Sequence, residues 1–236
     1  MIRLDKSPAL GVPCLAYTVL CTTGLAAEAR IARRAGLQAV VGGGDHRRTV
    51  AVVEEAASQA ECLVSFGIAG ALAPGLKPGD IVLSTEVVDE DRRWLSSDRL
   101  RPQITALAGE LGATEGPVLG AQMVLATRAD KRRAWQQTGA VAVDLESVVV
   151  ARAAAALGIP FVVLRAIADP ATRELPPAAL VPLDENGNPA LGQVLASVMR
   201  RPQQLPSLLA VAREARQALQ ALGGPAHALN RVLAGV

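Results

Sequence analysis

Short apolar runs alternate along the chain with longer, Ala-rich stretches of helical periodicity. Residues 14–21, 38–41, 62–66, 81–88, 118–126, 141–143 and 161–168 read as strands. Residues 25–35, 47–60, 104–111, 131–137 and 147–157 read as helices, the last ended by Gly158 and Pro160. The run 161–168 is continuously apolar, the pattern of a strand buried on both faces. This alternation predicts an α/β domain of three layers around a largely parallel central sheet. Ligands of such sheets sit beyond the carboxyl ends of the strands, which singles out residues 42–45, 67–70, 144–146 and Asp169.

After Pro170 the pattern changes. Pro176, Pro177, Pro182, Pro189, Pro202 and Pro206 interrupt it, and two amphipathic stretches follow at 191–199 and 205–222. We divide the chain into a core, residues 1–170, and a Pro-rich helical extension, residues 171–236, packed on the same domain. The extension reads as a cap; a lid, or a surface for apolar partners or lipid, is the competing reading.

The chain has 236 residues, enough for one domain with a substantial core. Half of them are hydrophobic and 19% are charged, which excludes disorder as the main state. Aromatic residues make up 2%, which argues against a nucleic-acid surface built on base stacking. The net charge is +2, so no general field favours a polyanion. Two His and three Cys leave little for zinc or for a Ser-His-Asp machine, so carboxylates are the expected carriers of protons. Cys14, Cys21 and Cys62 lack metal-site spacing and read as buried thiols in a reducing compartment. Arg3 and Lys6 precede an apolar run at 8–20 that resembles a secretory leader, but Asp5, Gly11, Pro13, Tyr17 and Thr18 interrupt it. A first strand entering a Gly turn fits better. No clean run of 18 apolar residues predicts a membrane span.

Four places carry candidate chemistry. Gly42, Gly43 and Gly44 follow a strand, but Arg47 stands where a dinucleotide fingerprint needs its last Gly, so a plain turn explains them equally well. Gly67-Ile68-Ala69-Gly70 reads as a second glycine turn that lets a ligand approach the backbone. Asp144 and Glu146 stand at the start of a helix that one of them can cap. Asp169 ends the most apolar strand, with Arg165 four residues before it; it is either a general acid or a turn former beside Pro170.

Four segments, in this order, resemble the purine nucleoside phosphorylase and methylthioadenosine/S-adenosylhomocysteine nucleosidase superfamily. They are T-G-L-A-A-E-A-R-I at 23–31, F-G-I-A-G-A-L-A-P-G-L-K-P-G-D-I-V at 66–82, A-V-A-V-D-L-E-S at 140–147 and P-F-V-V-L-R-A-I-A-D at 160–169. The resemblance implies a three-layer α/β/α sandwich of the nucleoside phosphorylase type with a mixed, largely parallel sheet. The T-G-L-x-x-E-A-R opening, the G-G-G-D at 42–45 and the Pro-rich tail are similar to the hopanoid-associated nucleoside phosphorylases of bacteria. That branch implies release of adenine from adenosylhopane during hopanoid biosynthesis.

By this resemblance Glu146 binds the ribose hydroxyls, Asp169 protonates the purine N7, and Glu28 orients and deprotonates the attacking water. Met123, Val124 and Leu125 form the adenine pocket, with backbone groups of Leu125 reading the base edge. Leu145 lies beneath the sugar, and Gly67 and Ala69 line the nucleophile side. Three positions depart from the nucleosidase pattern. Ile68 replaces a Ser, Val124 an aromatic ring, and Ala168 a Ser beside Asp169. All three make the site more apolar, which fits a large apolar 5′ substituent.

The nucleophile is water or phosphate. Glu28 repels a phosphate dianion, which favours hydrolysis; Arg47 or Arg48 is the candidate phosphate site, with inorganic phosphate as co-substrate, if the enzyme is a phosphorylase. No metal or organic cofactor is expected. The resemblance implies a homodimer acting on a small-molecule adenine nucleoside; the thiols point to the cytoplasm, the composition argues against nucleic acid, and a lipid-like substrate suggests transient contact at the inner membrane face through residues 191–222. Readings from other classes are a nucleotide-binding α/β protein and a non-catalytic binder of nucleosides or hopanoids. The failed glycine fingerprint argues against the first, and the retention of Glu28, Glu146 and Asp169 against the second.

Overall fold

The computed structural model describes residues 17–184 and 186–235. Its elements in chain order are β1 (Val19–Thr23), α1 (Ala26–Arg34), β2 (Gln38–Val41), α2 (His46–Ala56), β3 (Cys62–Ala71), β4 (Ile81–Ser84), β5 (Glu86–Val88) and β6 (Arg93–Leu95). There follow α3 (Arg101–Leu111), β7 (Thr114–Glu115), β8 (Val118–Gly120), α4 (Arg128–Thr138), β9 (Ala142–Asp144), α5 (Ser147–Leu157), β10 (Phe161–Asp169), α6 (Leu191–Arg200), α7 (Leu205–Ala221) and α8 (Gly223–Ala234). Cys14 and residues 8–16 of the first apolar run lie outside the described residues, and the end of that run, from Val19, enters β1.

The strands form one mixed, 10-stranded sheet in the order β6-β5-β8-β9-β3-β10-β4-β7, with β1 pairing β3 and β2 pairing β1. Most ladders are parallel; β10 with β4, β3 with β9 and β5 with β6 are antiparallel. Only Thr85 separates β4 from β5, yet four strands stand between them in this order, so the sheet curls into a half-barrel.

Strand periodicity sorts the core into two faces. Val162, Leu164, Ala166 and Ala168 of β10 pack with α1, α3, α7 and α8. Phe161, Val163 and Ile167 pack with α2 and α5. Helices therefore cover both faces, as the three-layer expectation requires. All nine residues of β10 are buried, and Arg165 and Asp169 take places where an apolar side chain would otherwise stand. Cys21 and Cys62 are buried thiols on the first face.

Several sequence expectations need correction. The strand expected at 81–88 is two strands. The Ser84 hydroxyl accepts the Glu86 amide at 3.0 Å and donates to the Glu86 carbonyl at 2.9 Å, which closes a kink in place of the ladder. The strand expected at 118–126 stops at Gly120, and residues 121–127 leave the sheet. Residues 67–70 are not a turn: β3 continues through them to Ala71, paired to β10 along most of its length and to β9 at Gly70 and Ala71. The hydrophobic pattern does not mark the short strands β6 and β7 or the whole of α8. Gly223, Gly224 and Pro225 disguise the start of α8, although Pro is tolerated in a first helical turn.

Candidate active site

Three acidic side chains reach one cavity from three different elements. The first is Asp169, at the end of β10. The pairing with β3 shifts register between Ile167 and Asp169, which re-aims the strand end. Asp169 Oδ2 is bound by the Lys131 ammonium. Lys131 is 1% exposed, the one buried residue of an otherwise polar α4. Its Nζ also donates to the carbonyls of Pro170 at 3.2 Å and Arg173 at 3.1 Å. Burial pushes the Asp169 carboxyl above the usual aspartate range, and Lys131 opposes the rise without cancelling it.

The second is Glu146, just before α5. Asp144, not Glu146, caps this helix. Its Oδ1 accepts the amides of Glu146 at 2.9 Å and Ser147 at 2.7 Å, while Oδ2 accepts the Ser147 hydroxyl. The fully buried Arg165 lies on the same sheet face, with Nε 2.7 Å from Asp144 Oδ2 and Nη2 3.5 Å from Glu146 Oε2. Arg165 Nη2 also donates to the Ser65 hydroxyl at 2.5 Å, on the neighbouring strand, and to the Ser147 hydroxyl at 3.4 Å. Its place within β10 is thus explained by two carboxylates and two hydroxyls. Burial raises the Glu146 carboxyl; Arg165 lowers it, and the charges of Asp144 and Glu28 raise it further.

The third is Glu28, in the first turn of α1. Its Oε2 accepts the amides of Gly24 at 3.0 Å and Leu25 at 2.7 Å, which caps the helix. Oε1 accepts the Ile68 amide of β3 at 2.8 Å. Burial again raises the carboxyl, against Arg165 and these three amides. Gly67 makes room for it. Its φ is +153°, and a Cβ there would collide with the Glu28 carboxylate. Gly24 does the same for Glu146, whose Oε1 occupies the place of its missing side chain.

The cavity measures about 590 Å³, within the usual range for small-molecule sites. Glu28, Glu146 and Asp169 line it, as do Ala69, Met123, Val124, Leu125 and Leu145. Gly67 does not; it lies beneath Glu28. Arg47 and Arg48 are not in the lining either, whereas Gly43, Gly44 and Asp45 are. Asp45 caps α2 by accepting the Arg48 amide at 2.8 Å. Among the described residues of the lining the one cation is Lys131, already bound to Asp169.

Sequence reasoning missed two features of the site. Lys131 stands in the run K-R-R, where nothing distinguishes it from its solvated neighbours. The second is an apolar wall supplied by the Pro-rich segment, with Leu175, Leu180, Val181, Pro182 and Leu183. Prolines with interspersed leucines could have marked it as a pre-stiffened loop. Residues 121–126 read as a strand because an apolar pocket wall and a strand have the same composition. Met123 is 72% exposed, and Val124 is exposed as well.

Residues 39–201 match the family model of the phosphorylase superfamily. The 5′-methylthioadenosine/S-adenosylhomocysteine nucleosidase of Actinobacillus succinogenes is 28% identical over 135 residues, covering 46% of this chain and 56% of that protein. The match thus spans little more than half the length of that relative. A variant of the Helicobacter pylori 5′-methylthioadenosine/S-adenosylhomocysteine nucleosidase, solved with 5′-methylthioadenosine in its active site, superposes with a TM-score of 0.61 at 14% identity, over 89% of this chain and 98% of that one. The Streptococcus pyogenes S-adenosylhomocysteine nucleosidase gives 0.61 at 15% identity, over 92% and 98%. The futalosine hydrolase of Helicobacter pylori gives 0.59 at 14%, over 86% and 94%. At these identities the likeness concerns the fold, which this chain shares with them.

Proposed function

This chain belongs to the phosphorylase superfamily, and on that footing we propose that it is an enzyme cleaving the N-glycosidic bond of an adenine nucleoside. The observation that carries this reading is the convergence of Glu28, Glu146 and Asp169 on one cavity. Relatives named as nucleosidases, and a fold neighbour solved with 5′-methylthioadenosine, support the substrate class.

In this reading Asp169 protonates N7 as the bond from C1′ to N9 breaks, so that adenine leaves neutral. Glu146 accepts hydrogen bonds from the ribose hydroxyls and holds the sugar as positive charge develops at C1′. Glu28 orients a water and takes its proton. Hydrolysis is favoured over phosphorolysis on electrostatic grounds. A phosphate dianion on the Glu28 side would meet a carboxylate, and the lining offers it no free cation. The family also contains phosphorylases, so Arg47 and Arg48 remain the phosphate candidates if the reaction requires phosphate.

The 5′ group is proposed to be large and apolar, with adenosylhopane as the substrate. Support comes from the wall of Leu175, Leu180, Val181, Pro182 and Leu183, and from Ile68, Val124 and Ala168 in the lining. Membrane contact is proposed through α6. Leu191, Leu195 and Met199 recur at helical spacing and are 75%, 61% and 75% exposed, and Arg200 and Arg201 follow them. Among the described residues no helix is long and apolar enough to cross a membrane. We propose a homodimer by resemblance to the family.

The deciding experiment is product analysis with a 5′-alkylated adenosine, with and without phosphate. Phosphate-independent release of adenine and a free ribosyl product is expected. A sugar 1-phosphate formed only with phosphate would make the enzyme a phosphorylase. No adenine under either condition would overturn the substrate assignment.

A further inference from the structure

Asp169 lacks the neighbour that the sequence comparison leads one to expect, since position 168 is Ala and carries no hydroxyl. The fold supplies a different partner, from α4. Lys131 is fixed by two backbone carbonyls, of Pro170 and Arg173, and its third contact is Asp169 Oδ2. An ammonium has three donors, so all are used and the head cannot turn away. We infer that Lys131 is the positioning residue of the acid: it holds Oδ2, leaves Oδ1 for the purine N7, and balances the carboxylate that forms when the proton departs.

The inference rests on the proposed role of Asp169 as proton donor. In the step concerned, the Asp169 proton passes to N7, the electron pair of the C1′–N9 bond stays with adenine, and Asp169 becomes an anion. In this buried place that anion is costly unless a cation already stands beside it. Lys131 is that cation, in place before the reaction, so no reorganisation is needed as charge develops. The other charged groups facing Asp169 are Arg173, beyond the strand end, and Glu214 of α7. These two pair with each other, Arg173 Nε lying 3.1 Å from Glu214 Oε2, so their opposed charges leave Lys131 as the dominant partner.

The sign follows. Lys131 favours the ionised acid and makes Asp169 the stronger donor. Without it Asp169 holds its proton to higher pH, and the alkaline limb of kcat moves up while the plateau falls.

The test compares Lys131→Gln, Lys131→Arg and Asp169→Asn on a 5′-alkylated adenosine and on a 4-nitrophenyl riboside with the same 5′ group. Nitrophenolate leaves without a proton. Asp169→Asn should lose about 100-fold or more in kcat on the adenine substrate and little on the nitrophenyl one. Lys131→Gln should lose about 10- to 100-fold in kcat on the adenine substrate only, with KM nearly unchanged and the alkaline limb displaced upward. Equal losses on both substrates, or an unmoved limb, would overturn the inference and leave Lys131 a structural residue. Should Lys131→Gln not fold, Lys131→Arg decides: it keeps the charge but not the point contact, so a loss confined to the adenine substrate supports the inference and equal losses refute it. Full activity of Asp169→Asn on the adenine substrate would refute the underlying role of Asp169 instead.

Discussion

Arg165 Nε lies 2.7 Å from Asp144 Oδ2, and the same guanidinium reaches Glu146. One buried cation therefore serves the residue that caps α5 and the residue proposed to hold the sugar. Replacing Arg165 by Met strands the buried Asp144 carboxylate and takes away the partner of Glu146, so the variant should lose about 3–5 kcal/mol of stability. Urea unfolding at neutral pH measures this. A loss below about 1 kcal/mol would show that the carboxylates find other partners or protonate cheaply.

The approach of Glu28 to Gly67 gives a second expectation. In Gly67→Ala the new methyl displaces the Glu28 carboxylate, which releases the Ile68 amide it now accepts. Overpacking of this kind costs about 1–3 kcal/mol. The kinetic loss should fall on kcat more than on KM, because the group displaced is the one proposed to handle water. A thermal melt together with steady-state kinetics tests both halves.

Stability should also depend on pH through Glu146. Its carboxyl is pushed from the ordinary 4.5 up to about 8 by burial, with Asp144 and Glu28 adding to the rise. A raised folded value means that the native state binds more protons than the unfolded one between these limits. This contribution is fully present below 4.5 and is lost as pH rises to about 8. Glu146→Gln removes the titrating group, so stability should fall less over that window than in the wild type. Parallel curves for the two proteins would refute the assignment.

Specificity for the 5′ group should reside in the Pro-rich wall. Leu183→Ala removes apolar surface from the cavity, and each lost CH₂ contact is worth about 0.8 kcal/mol. KM for a long 5′-alkyl adenosine should rise about tenfold or more, and that for adenosine should hardly move. An equal rise for both would place Leu183 against the nucleoside itself.

The stripe on α6 is testable apart from catalysis. Replacing Leu191, Leu195 and Met199 by Asp should abolish flotation with anionic liposomes while leaving the unfolding midpoint nearly unchanged, since none of the three is buried. A wild type that does not float would remove the membrane proposal.

Much of the fold was legible from periodicity. The run 161–168 announced a strand buried on both faces, and Gly158 and Pro160 marked where α5 stops. What failed was position along ambiguous apolar runs. Residues 118–126 hold both a strand and a pocket wall, and residues 81–88 hold two strands at opposite ends of the curled sheet. Local composition is the same in each case; only the partner differs.

The sequence by itself determined the three-layer architecture, the family, and the three carboxylates worth watching, because periodicity, turn residues and motif spacing are local properties. The tertiary structure alone decided how those carboxylates are held. Lys131 lies 38 residues before Asp169, and Ile68 lies 40 residues after Glu28. Whether a lysine is solvated or bound to a buried acid depends on what the chain folds against it. Burial and charge pairing at a distance set that, and no local pattern records them.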